Sequence, residues 1–294
     1  MSAQLPADHS QWGRFGSIGQ REGALDPSGR GGGLGVGGTC GGGAGWDRIG
    51  ALTIGGGMTT DLTKLLSEWA YEPGQVNVRL VQAEDGRTVV QMRVDLGVLQ
   101  MEVEGRPDGR TVEGHESLLE YYETLVGPEG EGPGGDEGDE GDVLGEGGEE
   151  GGEGWRLDGE ACRALREEAA QYYHRFVSLL VLEEYEQVVE DTTRNLRVAE
   201  LCAGHAEEDE DRAALEPFRP YLLMIRARAL ASLAVDDDEP KSAVVAIDEA
   251  LDEIGRMCEA RGKPEAFEGL DEVRLLRGMR EALTPKVPVS AKEE

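Results

Sequence analysis

The amino-acid sequence predicts a mainly helical chain with two modules: an α+β module built on a three-stranded antiparallel meander, then an all-α module of helical hairpins. Three observations support this fold class. Apolar and polar residues alternate between 76 and 103, as they do in half-buried strands. From residue 155 onward the apolar residues recur with helical spacing. A Gly-rich acidic run separates the two patterns, so we expect a domain boundary there.

Acid and glycine dominate the composition of the 294 residues, which carry a formal charge of −31 and contain 44 Gly. Residues 1–57 hold 19 of these glycines, and residues 127–154 hold 13 together with 11 acidic residues and no Lys or Arg. No basic face is present that would hold a nucleic-acid backbone, and no apolar run reaches the roughly 18 residues of a membrane span. We therefore expect neither direct nucleic-acid contact nor a membrane segment.

The two Gly-rich segments are expected to lack a packed core. Residues 1–57 read either as a disordered extension or as sequence upstream of a true start at Met58, which follows three glycines and opens a helical pattern. Residues 127–154 read as an acidic, extended linker, because like charges repel and Gly raises the cost of ordering. Residues 291–294 are a short tail.

The first module, residues 58–126, should begin with a helix that runs through Trp69. Thr59 or Thr60 would cap this helix. Glu84-Asp85-Gly86-Arg87 is typical of a hairpin turn, and a closing helix follows near 118–125. Three strands are predicted from alternating residues: Val76, Val78 and Leu80; Val90, Met92 and Val94; Leu99, Met101 and Val103. So small a module is marginal alone, so we expect it to pack on the second module or on a second copy.

The second module, residues 155–290, has five helical patterns that read as antiparallel hairpins, an architecture similar to tetratricopeptide repeats. Asp158 is expected to cap the first helix, and Asp236-Asp237-Asp238 the fourth. Pro217 and Pro220 suit the start of the third. The fifth pattern runs from Phe267 through Leu283. The 56-residue offset between Val188 and Val244 exceeds the 34 residues of a regular repeat, which indicates degenerate units.

Motifs that would carry chemistry are weak, so we expect no enzyme activity, cofactor or metal. Residues 33–38 match the dinucleotide-binding glycine pattern, but no strand or helix is predicted around them. Cys202 and His205 would supply only half of a metal site. Cys162, Cys202 and Cys258 fit buried positions of helices, and His115 and His174 have no nucleophile or metal ligand nearby in the sequence.

Arginines on the helical module give the one candidate binding site. Arg194 and Arg197 lie three residues apart, and Arg274, Arg277 and Arg280 form a stripe on the last helix. Planar guanidinium groups bind carboxylates with two hydrogen bonds, so this surface would suit an acidic peptide of a protein partner, and residues 127–154 would compete for it. The alternative is that these arginines pair with nearby acidic residues on solvent-facing helices.

Several strings carry a resemblance to a known family. The strings MTTDLTKLLSEW, GQVNVRL, QMRVDLGVLQMEVEGRPDG and SLLEYYE resemble the N-terminal part of bacterial UvrB/UvrC-motif (UVR) domain-containing proteins. The strings ALREEAAQYYHRFVSLLVLEEYEQVVEDTTRNLRVAELC, FRPYLLMIRARALAS and LRGMREALTPKVPVS resemble their helical part. The resemblance covers residues 58–290. It implies a protein-docking role, but the UVR hairpin that follows in that family is missing after Ser290.

These observations together predict a cytoplasmic, non-enzymatic interaction or adaptor protein whose helical module binds a protein partner. One alternative is an accessory factor of DNA repair or stress response that acts through a protein partner. A second alternative is an enzyme with an unrecognised site. A cleft that holds His115 or His174 with two carboxylates would favour the enzyme. The oligomeric state does not follow from the sequence.

Overall fold

The structure is a computed structural model that describes residues 61–126 and 155–284. The expectations for residues 1–57, for the glycine pattern at 33–38, for the linker 127–154 and for the tail 291–294 lie outside the described residues.

The described part is mainly helical and contains a three-stranded antiparallel sheet, which confirms the predicted fold class. Strands β1 (Asn77–Gln82), β2 (Thr88–Val94) and β3 (Gly97–Glu102) lie in the order β1-β2-β3. Gly86 adopts a φ of +85° in the turn between β1 and β2, a conformation that costs glycine little. Met92 of β2 stands opposite Val78 and Leu99, so one face of the sheet is apolar.

Eight α-helices accompany the sheet in the described residues. They are α1 (Thr63–Glu68), α2 (Leu118–Val126), α3 (Gly159–Val181), α4 (Tyr185–His205), α5 (Asp209–Ala213), α6 (Arg219–Asp236), α7 (Pro240–Ala260) and α8 (Asp271–Leu283). Helices α3 and α4 form one hairpin, α6 and α7 a second, and α8 packs on both helices of the second hairpin. The Asp158 carboxylate accepts a hydrogen bond of 2.8 Å from the Ala161 amide and caps α3 as predicted.

Three local predictions were wrong. Helix α1 ends at Glu68 instead of Trp69, and its N-cap is Leu62 instead of Thr59 or Thr60. The cap of α7 is Glu239, because α6 continues through Asp236 and Asp238 takes a left-handed turn between the helices. Phe267 belongs to a separate 3-10 turn, Pro264–Gly269, that precedes α8.

The sheet packs on the helical module through its apolar face. Val90 and Met101 share one buried cluster with Tyr173 and Phe176 of α3, and this cluster continues through α6, α7 and α8. A second cluster joins α2 to the start of α3 and the end of α4. The sequence predicts that the first module packs either on the second module or on a second copy. In the structure it packs on the second module of its own chain.

The two ends of the undescribed segment between the modules lie close together. Val126 at the end of α2 and Trp155 before α3 both pack against the second cluster. The ring of Trp155 lies 5.7 Å from the ring of Tyr122 on α2. Residues 126 and 155 therefore lie on the same part of the folded body.

Candidate functional site

The five arginines predicted to bind a partner do not form one surface. Arg194 is buried on α4, where it contacts the buried carboxylate of Glu168 on α3. Its guanidinium carbon lies 3.9 Å from the centre of the Tyr172 ring. Arg194 therefore has no side-chain surface for a partner, which corrects that prediction: helical spacing placed Arg194 beside Arg197, but α3 covers it.

The other four arginines are accessible and each contacts a carboxylate. Arg197 donates from Nε to Oε1 of Glu123 over 3.0 Å, and Arg274 contacts Asp271. Arg277 donates two hydrogen bonds of 2.6 and 2.8 Å to Glu268.

Arg280 on α8 binds Asp248 on α7 over 2.5 and 3.1 Å. The hydrogen bond to this carboxylate raises the pKa of Arg280. An acidic peptide would have to displace Asp248 from Arg280 and Glu268 from Arg277. The stripe therefore fits the alternative interpretation, in which these arginines pair with acidic residues of the same chain.

A largely buried set of side chains, most of them charged, joins the sheet and the first hairpin. We call it the charged junction; its members are Arg106, Glu168, Tyr172, Arg175, Asp191 and Arg194. Glu168 Oε1 accepts a hydrogen bond of 2.9 Å from the amide of Leu118, the first residue of α2, and lies 3.4 Å from Nε of Arg106. Arg175 binds Asp191 through two nitrogens. The Tyr172 ring packs against the guanidinium groups of Arg175 and Arg194.

Burial shifts the pKa values of two groups in the charged junction. Desolvation, together with the positive charge of the neighbouring Arg106, lowers the pKa of Arg194 to about 9, so Arg194 stays protonated at neutral pH. Desolvation raises the pKa of Asp191, although the hydrogen bond from Arg175 opposes the shift. Every member is held by another part of the chain, so the geometry points to a structural role in joining α2, α3, α4 and the β3–α2 loop.

A cleft of about 750 Å³ lies between the end of the sheet and the α3–α4 turn. Leu80, Val103 and Leu179 supply its apolar wall, and Arg87 and Arg110 are among its charged residues. Arg87 is already paired with Asp85 and Glu102. His115 and His174 do not line this cleft, so it does not have the arrangement that would favour an enzyme.

A second, mainly apolar depression lies at one end of the helical module. We call it the end groove, and it has a volume of about 270 Å³. Its lining comes from three helices and consists of Tyr185, Ala231, Ser232, Val235, Asp236, Met279, Ala282 and Leu283. Val235, near the end of α6, is 37% exposed. Val181, the last residue of α3, lies four residues before Tyr185 and is 42% exposed. Apolar side chains that stay open to solvent at a concave surface are typical of a binding site.

The sequence did not predict the end groove as a binding site. Tyr185 and Met279 have the spacing of core residues, and the sequence alone does not show that the helices leave a gap between them. The one usable signal was Val235, an apolar residue immediately before three aspartates at the end of a helix.

The three cysteines of the described ranges are buried, and His174 contacts its own helix. Cys162 and Cys202 are free, buried and in side-chain contact, and Cys258 is free and buried. Nδ1 of His174 lies 2.7 Å from the Ala170 carbonyl oxygen one turn earlier. Within residues 61–126 and 155–284, no group of three His, Cys, Asp or Glu side chains is arranged to hold a metal ion.

Comparison with family models, with curated proteins and with solved structures finds no match to this chain. The resemblance to UVR domain-containing proteins therefore stays a prediction. No helix within the described ranges is long and apolar enough to cross a membrane.

Proposed function

We propose that this chain is a non-enzymatic interaction protein whose helical module binds a protein partner. The observation that carries the proposal is the end groove, where apolar side chains of three helices line a concave, solvent-open surface. Small apolar depressions on rigid helices receive anchor side chains of other proteins, since such anchors supply much of the binding energy of an interface.

The rigidity of the module supports this function. The two hairpins and α8 share one buried cluster with the sheet, and Arg175 ties α3 both to α4 and to the loop after β3. A preorganised surface loses little conformational entropy when a partner docks. The cytoplasm is the proposed compartment, because the buried cysteines are free thiols, as is usual in a reducing environment.

The test is affinity capture from the native lysate with the full chain as bait. A second bait carries Arg274, Arg277 and Arg280 changed to Ala, and a third carries Val235→Glu. Captured proteins are identified by mass spectrometry, purified and rebound to the bait.

We expect a defined protein that binds the unaltered chain directly. Loss of this protein with the triple variant places the docking surface on the arginine stripe, and loss with Val235→Glu places it at the end groove. No direct binder to any of the three baits would contradict the proposed function.

A further inference from the structure

We infer that the end groove binds a basic segment of the partner, which inserts an apolar side chain between α6 and α8. The inference rests on the proposed function and adds the surface and the chemistry of the partner. Three lines of observation carry it: the arrangement of helix ends, the charges around them and the size of the groove.

Several helix ends meet at the groove. Val235 and Asp236 end α6, Leu283 ends α8 and Tyr185 begins α4, and all of them line it. The end of α3 belongs to the same place, since only three residues join Val181 to Tyr185. The C-termini of α3, α6 and α8 therefore lie at this end of the module, together with the N-termini of α4 and α7.

Acidic side chains crowd this end. They are Glu183, Glu186, Asp236, Asp237, Asp238 and Glu239. None of these six forms an ion pair with any residue in the described ranges.

Within the described ranges, few cations lie near this end. Lys241 lies in the first turn of α7, Arg280 is engaged by Asp248, and Arg228 lies about two turns before the end of α6. Among these residues the acids outnumber the free cations, so a positively charged ligand is favoured electrostatically.

The backbone adds to the negative charge. The last turns of α3 and α6 contain no basic residue, so the partial negative charge of their terminal carbonyl groups has no side chain to offset it. The opposite ends of α4 and α7 contribute positive partial charge, but Glu186 in the first turn of α4 and Glu239 at the cap of α7 stand beside them. The described charges around the groove mouth are therefore mainly negative.

The size of the groove defines the apolar part of the ligand. A volume of about 270 Å³ is below the range of ligand pockets, which begins at about 300 Å³. It suits one large aliphatic or aromatic side chain between Val235 and Met279. The ligand is accordingly a segment with Lys or Arg residues around a single apolar anchor. This segment is opposite in charge to the acidic peptide expected from the arginine stripe.

The experiment uses the full chain and three synthetic 12-residue peptides of identical length and spacing. One contains Lys around a central Leu, the second has Glu in place of each Lys, and the third has Ser in place of the Leu. Binding is measured by fluorescence anisotropy at low and at high salt. We expect the Lys/Leu peptide to bind at least about tenfold more tightly than either control, with an affinity that falls as salt rises.

Two variants locate the bound peptide. Val235→Glu should weaken the Lys/Leu peptide about tenfold or more, because it places a charge in the apolar site. The matched control is Val245→Glu, which adds the same charge at an exposed valine on α7 that does not line the groove. A benzophenone label on the Leu position of the peptide, used with the unaltered chain, should crosslink to Val235, Met279 or Tyr185, and this readout requires no variant to fold.

Equal binding of the Glu/Leu or Lys/Ser peptide, equal effects of the two valine variants, or crosslinks outside the groove would each overturn the inference. The proposed function would survive such a result if the lysate experiment still gave a direct binder. Absence of any direct binder, by contrast, would remove the function itself.

Discussion

Arg175 on α3 and Asp191 on α4 form a buried ion pair with two hydrogen bonds, from Nε to Oδ2 over 2.9 Å and from Nη2 to Oδ1 over 2.6 Å. The remaining nitrogen, Nη1, donates to the carbonyl oxygens of Glu102, the last residue of β3, and of Gly105 in the loop that follows. One side chain therefore connects the first hairpin and the sheet.

Replacing this arginine should destabilise the protein strongly. Arg175→Met leaves a buried carboxylate without a counter-ion and two carbonyl groups without donors, so we expect the free energy of unfolding to fall by about 3–5 kcal/mol. Urea denaturation followed by circular dichroism measures the change. Arg163→Met, at an exposed arginine of the same helix, is the control and should change stability little. A loss below about 1 kcal/mol for Arg175→Met would contradict the assigned role.

Glu168 should control the docking of α2. Glu168→Gln removes the negative charge that faces Arg106 and Arg194, and the amide nitrogen that replaces one oxygen cannot accept a hydrogen bond. We expect the amides of α2 to exchange with solvent at least about tenfold faster, since local opening becomes easier. Hydrogen exchange by mass spectrometry on the peptide that covers 118–126 reports this. Glu167→Gln, at an exposed neighbour, should leave the exchange of that peptide unchanged.

Alkaline pH should unfold the protein through its buried tyrosines. Burial raises the pKa of Tyr172 and of Tyr173 from 10.0 to about 12, and it raises the pKa of Tyr221 as well. In the unfolded chain these hydroxyl groups lose their protons near pH 10, so above that pH the unfolded state binds fewer protons than the folded state. The contribution to stability is complete below pH 10 and is lost as the pH rises towards 12.

The free energy of unfolding, measured in urea from pH 8 to pH 11.5, should therefore fall steadily above pH 10. Tyr173→Phe should make that fall shallower, because one of the three groups no longer titrates. A profile that stays flat through pH 11.5 would contradict the assignment of raised pKa values to these tyrosines.

The arginine stripe should matter little for stability. Arg274, Arg277 and Arg280 pair with carboxylates near solvent, where ion pairs contribute about 1 kcal/mol or less each. The triple alanine variant should therefore remain folded, with a small decrease in Tm by calorimetry. This makes it a usable bait in the capture experiment. Loss of the folded state would mean that the stripe belongs to the structural framework.

Much of the fold could be predicted because its signals are local. The alternation that predicts β1, β2 and β3 lies within 28 residues, and the Asp158 cap lies next to the helix it begins. The predicted start of α7 is wrong because the observed start depends on contacts between residues far apart in the sequence. Three aspartates resemble a cap, but the apolar contacts of α6 with α4 and α7 extend that helix to the first of them.

The candidate site depends on contacts between distant residues, which explains why the sequence did not predict it. Arg194 and Arg197 have the same spacing as a solvent-facing pair, yet Glu168, 26 residues before Arg194, holds Arg194 in the interior. The end groove combines Tyr185, Val235 and Met279 from three helices. Each of these residues alone has the pattern of an ordinary core position, and the groove forms only where the three helices meet.

The proximity of Tyr122 and Trp155 has a consequence for how the chain could be lengthened. Because residues 126 and 155 both pack on one cluster, the two ends of the segment 127–154 are fixed close together. Doubling the length of a connection between two fixed ends costs only about 0.6 kcal/mol of closure entropy. We therefore expect insertions within 127–154 to change the free energy of unfolding little, because they remove no described contact.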